Sequence, residues 1–392
     1  MGNQKMSGLT LRGGIWHIDK VFRGTRIRES TGTGEVEKAQ EQLARRIEEV
    51  RLAKVFGTRL DRTFRTAATK FLSENQHKRS IDDDAMHAEK LVRFIGDLPL
   101  RQVHMDSLQP FIAKRRAEGV TTTTINLSLA FVRRVINLAA TEWRDEQGLT
   151  WLENAAKIKL LKVTDRRQPY PLSQEEQGLL FRELPDYLAR MALFKVNTGT
   201  REEEVCGLKW VDEVSMPELG TSVFIVSGDK VKNGHDRLIV LNRVARSVIE
   251  SVRGQDSEYV FVRFPKPPKV KAGYERVIPQ PVRVQTMNAT AWKSVRVRAA
   301  KKWEERTGRP APEGFRRVRV HDLKHTFGRR LRAAGVSFED RQDLLGHKNA
   351  RITTHYSAAE VSNLITAAEK ACADGNPRNS PAITCLEKRV GS

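Results

Sequence analysis

The 392-residue sequence holds only three cysteines, Cys206, Cys372 and Cys385. Their spacing fits neither a disulfide framework nor a zinc site, so a reducing cytoplasm is the expected setting. No apolar run reaches the length that crosses a bilayer. The opening residues, MGNQKMSGLTLRGG, hold no apolar leader core. A membrane partner is therefore not expected. The sequence also lacks a phosphate-binding glycine loop and the clustered carboxylates of a metal site. No motif for a nucleotide or metal cofactor remains.

Acid is also scarce. There are 48 Asp and Glu against 69 Lys and Arg, a formal charge of +21. Such an excess calls for a polyanion, and nucleic acid is the expected partner because Lys and Arg displace counterions from phosphates. A merely solvated basic surface is the alternative. The arginines are dispersed, with Arg23, Arg26 and Arg28, then Arg115 and Arg116, Arg133 and Arg134, and later Arg316, Arg317 and Arg319. A tail would concentrate them. This dispersal predicts several domains lining one long polyanion.

Hydrophobic spacing predicts the organisation. Residues 9 to 31 alternate around turns, with Ile15, Trp16, Ile18, Val21 and Phe22 before Arg23-Gly24 and Ile27 after it. They read as two or three short strands. Val36, Ala39, Leu43, Ile47 and Val50 then recur at helical spacing, predicting a helix from about Glu35. Arg23, Arg26 and Arg28 lie on this sheet, which either reads DNA or merely carries charge. Residues 60 to 155 read as four amphipathic helices forming a small bundle. One of them opens with a capping box of Asp106 and Gln109. Lys157 to Pro171 reads as a basic linker. Ser173 and Glu176 predict a second capping box, opening a mixed α+β domain that runs to about Ala373. Within it, Val223–Val226, Leu238–Leu241 and Tyr259–Val262 read as strands, with a hairpin turn at Asn233-Gly234. Pro265 to Gly273 reads as a basic, proline-rich loop. Residues from about Gly375 read as a tail.

The chemistry-bearing residues are spread over the second half. Arg201 stands in NTGTREEEVCGL at the start of a helix, where acids are favoured and a cation is not. It either faces an anion or pairs with a neighbouring glutamate. Lys232 stands one residue before the hairpin turn, with Lys230 as its competitor. His321 and His325, in HDLKH, share a helix face with Lys324. The pattern resembles the zinc-protease HExxH, but Asp322 replaces the glutamate, no third ligand follows, and a lysine sits among the ligands. Beside a phosphate that lysine is welcome, so no metal is expected. His347 follows Leu344-Leu345-Gly346, and Tyr356 follows nine residues later. Alone, Tyr356 is as well explained by packing.

In order, TGTR with Arg201, Lys232 before a hairpin, His321-x-x-Lys324, LLGH with His347, and Tyr356 resemble the tyrosine recombinases of the phage-integrase type. The resemblance implies a multidomain α+β chain. Residues 1–57 would form an arm-type DNA-binding domain of three strands and a helix. Residues 60–160 would form a helical core-binding domain, 168–373 a mainly α catalytic domain with a small sheet, and 374–392 a tail. It further implies that Tyr356 attacks the scissile phosphate to form a 3′-phosphotyrosine. Arg201, Lys324 and His347 would hold the non-bridging oxygens. Lys232 would protonate the leaving 5′-oxygen, and His321 would act as base or phosphate partner. Arg23, Arg26, Arg28, Arg115 and Arg133 are the further DNA-contact candidates. No cofactor is implied, because the phosphotyrosine conserves the energy of the cleaved bond. Implied partners are double-stranded attachment sites, a homotetramer on them, and accessory DNA-bending or directionality proteins, in a bacterial cytoplasm close to the nucleoid. The tail after Ala373 would pass to a neighbouring subunit. Two other activities share parts of the pattern: a type IB topoisomerase-like nicking and closing enzyme, and a non-catalytic DNA-binding regulator. One position departs from the family, which most often has arginine where this chain has Lys324.

Overall fold

The computed structural model describes residues 5–228, 236–265, 279–346 and 357–372. The chain divides into two compact units, with the boundary between Arg167 and Gln168. No helix among the described residues is long and apolar enough to cross a membrane.

The first unit opens with an antiparallel sheet of β1 (Lys5–Met6), β2 (Leu9–Arg12), β3 (Ile15–Phe22) and β4 (Thr25–Ser30). The three strands expected gain a short fourth, because Lys5–Met6 folds back onto Leu9–Thr10. Arg23 and Gly24 close the β3–β4 hairpin, both with positive φ, 45° and 78°. That geometry fits the right-handed strand twist of a two-residue hairpin. Alternation sends Leu9, Trp16, Ile18 and Ile27 to one face, where α1 (Val36–Phe56) covers them with Ala39, Leu43 and Val50. The opposite face carries Arg26 and Arg28, both exposed.

Four helices follow: α2 (Phe64–Glu74), α3 (Ile81–Ile95), α4 (Gln109–Ala117) and α5 (Thr122–Thr141). Their apolar stripes meet as expected, with Phe64, Phe71, Leu91, Ile95, Phe111, Leu129 and Val132 in one core. Phe131 sets its ring edge-on against Phe71, centroids 5.3 Å apart. The capping box at Asp106 does not form. The Ser107 hydroxyl instead donates to the His104 carbonyl and accepts from its N–H. The turn so closed leaves Leu108, in helical φ/ψ, as the N-cap of α4, and the Asp106 carboxylate points to solvent. The linker lacks helix and strand as expected, yet it packs on the bundle. Ile158 is buried, Asn126 exchanges two hydrogen bonds with the Leu161 backbone, and Asp165 accepts from the Thr122 N–H.

The second unit opens with α6 (Gln174–Glu183), capped reciprocally by Ser173 and Glu176 as expected, then α7 (Asp186–Thr198) and α8 (Glu202–Cys206). β5 (Glu213–Met216), β6 (Thr221–Val226) and β7 (Arg237–Val240) form an antiparallel sheet in that order. β5 was not expected; its sequence, EVSM, is short and none of its residues is buried. The third expected strand shortens. Tyr259 makes only an isolated bridge to Lys209, while β8 (Val262–Arg263) pairs with β9 (Val282–Arg283). The remaining helices are α9 (Arg243–Val252), α10 (Thr290–Thr307), α11 (Glu313–Arg316), α12 (Val320–Ala333), α13 (Phe338–Leu345) and α14 (Ala358–Glu369). α7 packs against both α9 and α12, and its residues from Met191 to Thr198 are all buried. A second core joins Phe327 and Leu331 of α12 to Val361 and Leu364 of α14 and to Val223 and Val240 of the sheet. β6 and β7 pair through Val226 and Arg237. The Asn233-Gly234 turn, the Pro265–Gly273 loop (beyond Pro265) and the C-terminal tail lie outside the described residues.

Candidate active site

The site is built where α7 ends. Gly199 closes that helix with φ 65°, and a Cβ there would stand 2.7 Å from the Phe327 ring and 3.0 Å from Leu345. Only glycine supplies both the left-handed turn and the close approach. The chain then runs extended through Arg201, the N-cap of α8. The Arg201 N–H donates to Glu204 Oε2 at 2.7 Å, and its Nη1 donates to Glu204 Oε1 at 2.6 Å. Its Nη2 reaches across the fold to the Gly346 carbonyl at 3.0 Å. Of the two alternatives for Arg201, pairing with a glutamate is thus realised. The side chain still keeps 20% of its surface exposed, so the guanidinium faces solvent on one side.

α12 supplies the opposing wall. Asp322 caps its start, with Oδ2 accepting from the Arg319 N–H at 2.8 Å and Oδ1 accepting from the Tyr170 N–H at 3.2 Å. The residue in the glutamate position of the HExxH-like pattern is therefore committed to backbone, pinning the incoming chain to α12. His321, Lys324 and His325 lie on one face, with the two imidazole rings edge-on at 4.9 Å. Together with Arg329, Arg332 and Arg341 they line a cavity of about 790 Å3 between α12 and α13. Lys324 is 4% exposed and donates to the Leu345 carbonyl. Among the described residues, no three His, Cys, Asp or Glu converge as metal ligands.

Among the described residues, two more cations stand at the site that no sequence motif marks. Arg237, the first residue of β7, is 4% exposed and donates to the Asp343 and Leu344 carbonyls, at 2.5 Å each. Its Nε lies 3.9 Å from Glu204 Oε2. Lys195 of α7 is completely buried and donates to the Thr200 carbonyl. The available signal was a charge at an inward position of an apolar element, in RLIV and in ALFKVNT.

These cations share one buried carboxylate, and the electrostatics follow. Burial opposes ionisation of Glu204, but Arg237 and Arg201 overcome it and hold its carboxyl below the usual range. Burial, then the like charges of Arg237 and Arg201, push the Lys324 ammonium down to about 6. Burial alone does most of the same to Lys195, which falls to about 8. The His321 ring reaches solvent on one side. Its partial burial and the charges of Lys195, His325 and Lys324 push it down to about 4.

Arg201, His321 and Lys324 thus come together, whereas Lys232, His347 and Tyr356 lie outside the described residues. Of the expected DNA contacts, Arg23 stands exposed at the hairpin tip and Arg28 is exposed on the sheet. Arg26 is exposed but gripped by Asp19 at 2.9 Å through two nitrogens. Arg115 pairs with Glu118, and Arg133 is exposed on α5.

Solved structures share the fold. The chain is similar in fold to the integrase of transposon Tn1549 (residues 82–397, in complex with circular intermediate DNA), at TM-score 0.51 and 18% identity, over 84% of this chain and all of that one. It is similar to a lambda integrase tetramer bound to a Holliday junction, at TM-score 0.50 and 13% identity, over 89% and 98%. In sequence it matches the phage integrase family over residues 174–363 and the phage integrase N-terminal domain over residues 8–50, which together span more than half of it. The integrase of Salmonella phage P22 is 23% identical over 383 residues, 90% of this chain and 91% of that protein. The tyrosine recombinase XerA of Thermococcus onnurineus is 28% identical over 267 residues, 67% and 79%. The chain belongs to the phage integrase family of tyrosine recombinases, enzymes of site-specific DNA recombination.

Proposed function

We propose that this recombinase cleaves and rejoins double-stranded DNA at attachment sites through a 3′-phosphotyrosine on Tyr356, integrating or excising a mobile element. The observation that carries this reading is the convergence of Arg201 and Lys324 on the adjacent Gly346 and Leu345 carbonyls, with His321 one turn from Lys324 on α12, from segments more than a hundred residues apart in sequence.

The Tyr356 oxygen attacks the phosphorus and the bond to the 5′-oxygen breaks. His321, neutral at physiological pH because its pKa is held near 4, is able to accept the tyrosine proton or to bond a phosphate oxygen. Lys232 protonates the leaving 5′-oxygen. Arg201, Lys324 and His347 hold the non-bridging oxygens as charge develops. Lys324, held near 6 in the DNA-free protein, gains its charge when a phosphate anion arrives, because an opposite charge favours the protonated form. The 5′-hydroxyl released from one duplex then attacks a second phosphotyrosine, and the bond count is restored without a nucleotide or metal.

The tetrameric and DNA-bound states of the structural relatives support a homotetramer acting on two duplexes. The N-terminal sheet serves as an arm-type DNA-binding domain through Arg23, Arg26 and Arg28, and the helical region serves as the core-binding domain with Arg133. Arg115, paired with Glu118, contributes there by exchanging that partner for a phosphate. Accessory DNA-bending or directionality proteins complete the assembly. A nicked suicide substrate tests the chemistry. Wild type is expected to form a covalent protein–DNA adduct and Tyr356→Phe none. An adduct that persists in Tyr356→Phe removes Tyr356 as the nucleophile.

A further inference from the structure

The last turn of α13 offers a helix C-terminus, where successive carbonyls lack intrahelical donors. In most helices water or a glycine motif serves them. Here the left-handed Gly346 turns its N–H back to the Asp343 carbonyl, and side-chain cations also serve four carbonyls in succession. Arg237 takes the Asp343 and Leu344 carbonyls, Lys324 takes Leu345, and Arg201 takes Gly346. Two of those three cations are the proposed phosphate ligands. The third, Arg237, is as deeply buried as Lys324. It is not among the residues that line the cavity between α12 and α13, and it sits between the Glu204 carboxylate and the α13 turn. The turn is shaped to receive it. Gly346 has φ 58°, and a Cβ there would come within 2.7 Å of three guanidinium atoms of Arg237.

We propose that Arg237 is a positioning residue for DNA cleavage. Its guanidinium fork fastens the last turn of α13 to Glu204, and so fixes the points on which Arg201 and Lys324 converge. The inference rests on the recombinase reading of the site and adds to it a residue that does not touch substrate.

The chemistry explains why arginine stands there. Two consecutive carbonyls diverge along the helix end, and a planar fork meets both at once. A lysine is a point charge and holds one. Neutral side chains supply fewer donors and leave Glu204 with Arg201 alone. Arg237 also places a positive charge beside Lys324, which is faced further by Arg201 and Glu204 from the start of α8, by Lys195 from α7, and by His321 on its own helix. Arg237 therefore acts on Lys324 in two ways, through the turn it holds and through its field.

Full-length wild type, Arg237→Lys and Arg237→Gln are compared on the nicked suicide substrate across pH 5.5 to 9, with core-site binding measured in parallel. Arg237→Gln is expected to bind DNA within about threefold of wild type and to form adduct about 10²-fold more slowly, the scale of losing one preorganised donor. Removing a like charge raises the pH at which Lys324 loses its proton. The alkaline fall in rate therefore moves to higher pH in Arg237→Gln; a loosened turn that admitted water to Lys324 would move it in Arg237→Lys as well, so a shift confined to Arg237→Gln reports the lost charge. Arg237→Lys keeps the charge and loses the fork, so its rate falls about tenfold with the pH profile in place. If Arg237→Gln does not fold, as judged by its thermal transition, Arg237→Lys decides alone. A wild-type rate in Arg237→Lys then overturns the inference, as does a wild-type rate and profile in a folded Arg237→Gln. Absence of adduct from wild type itself strikes the recombinase reading instead, so the two failures are distinct.

Discussion

The two units of this chain use basic residues in opposite ways. On the N-terminal sheet Arg23, Arg26 and Arg28 are exposed, and the cost of keeping them charged is small. In the second unit Lys195, Arg237 and Lys324 are each at most 4% exposed, and Arg201 is partly covered. Water would solvate those charges better, so the fold must supply substitutes. It supplies one carboxylate, Glu204, and a run of backbone carbonyls. A cluster arranged that way carries more positive than negative charge in a confined volume and is suited to one anion at one place. The exposed arginines suit many phosphates at loosely defined places. Interior charge buys a defined position; surface charge confers reach.

The largest effects therefore belong to the interior cluster. Arg201→Ala is expected to lower the rate of covalent adduct formation by about 10²–10³, with core-site binding little changed. Lys324→Ala is expected to be equally inactive, whereas Lys324→Arg keeps activity, because the fork of arginine meets the same phosphate with better geometry. Full cleavage by Lys324→Ala would mean that the buried ammonium serves the Leu345 carbonyl and nothing else.

Next in size is the shared anion. Glu204→Gln removes the carboxylate between Arg201 and Arg237 and leaves their charges facing each other in a buried place. Breaking a buried pair from one side typically costs about 3–5 kcal/mol. A chemical denaturation midpoint within error of wild type would show that the arginines find other partners and that the interior cluster is not held by Glu204.

A smaller effect follows from pH. Lys324 and Lys195 have folded values pushed down to about 6 and 8, from 10.5 in an unfolded chain. In the interval between the folded and unfolded values the unfolded chain binds protons that the folded chain does not. Stability of the DNA-free protein therefore rises with pH across roughly pH 6 to 10 and falls as pH drops through that window. Glu204, with its carboxyl held low, contributes in the same sense but in a lower window, its stability being lost only as pH falls below the ordinary carboxylate range. Melting temperatures between pH 6 and 9 should rise by a few degrees, and Lys324→Met should flatten the rise. A wild-type slope in that variant would place the missing proton elsewhere.

This contrast was only half legible in sequence. The elements were legible where periodicity is long: the stripes of α2 to α5 and the alternation of β3 and β4 each bury a full face. Short elements escaped, since β5 has four residues, none of them buried, and β1 only two. The ends of helices divided by chemistry. Ser173 and Glu176 formed their capping box, whereas the neighbouring Ser107 hydroxyl displaced Asp106 from the α4 start. Arg201, His321 and Lys324 were legible because each lies in a motif of unusual composition. Arg237 and Lys195 were not, because a charge beside or within a short apolar run reads as solvent-facing until the packing shows otherwise. At the start of α8 the helix dipole suits an acid at any of three consecutive glutamates, Glu202 to Glu204. Only the fold shows which of them turns inward.

The smallest expected effect tests the exposed half of the comparison. Arg26 is gripped by the Asp19 carboxylate, whose acidity that arginine strengthens, whereas Arg28 opposite Asp19 in register has no such bidentate hold. If the sheet contacts phosphates, each freely available arginine should contribute about one unit to the slope of log affinity against log salt. Arg28→Ala should therefore flatten that slope by about one on a full attachment-site fragment, and Arg26→Ala by less. Asp19→Asn releases Arg26 and should steepen the slope slightly, an increase in DNA affinity from removing an acid. None of these changes should alter the rate of adduct formation on a saturating core-site substrate, because that rate is set by the interior cluster. An unchanged salt slope in Arg28→Ala, together with a slowed cleavage rate, would contradict the division of labour between surface and interior charge.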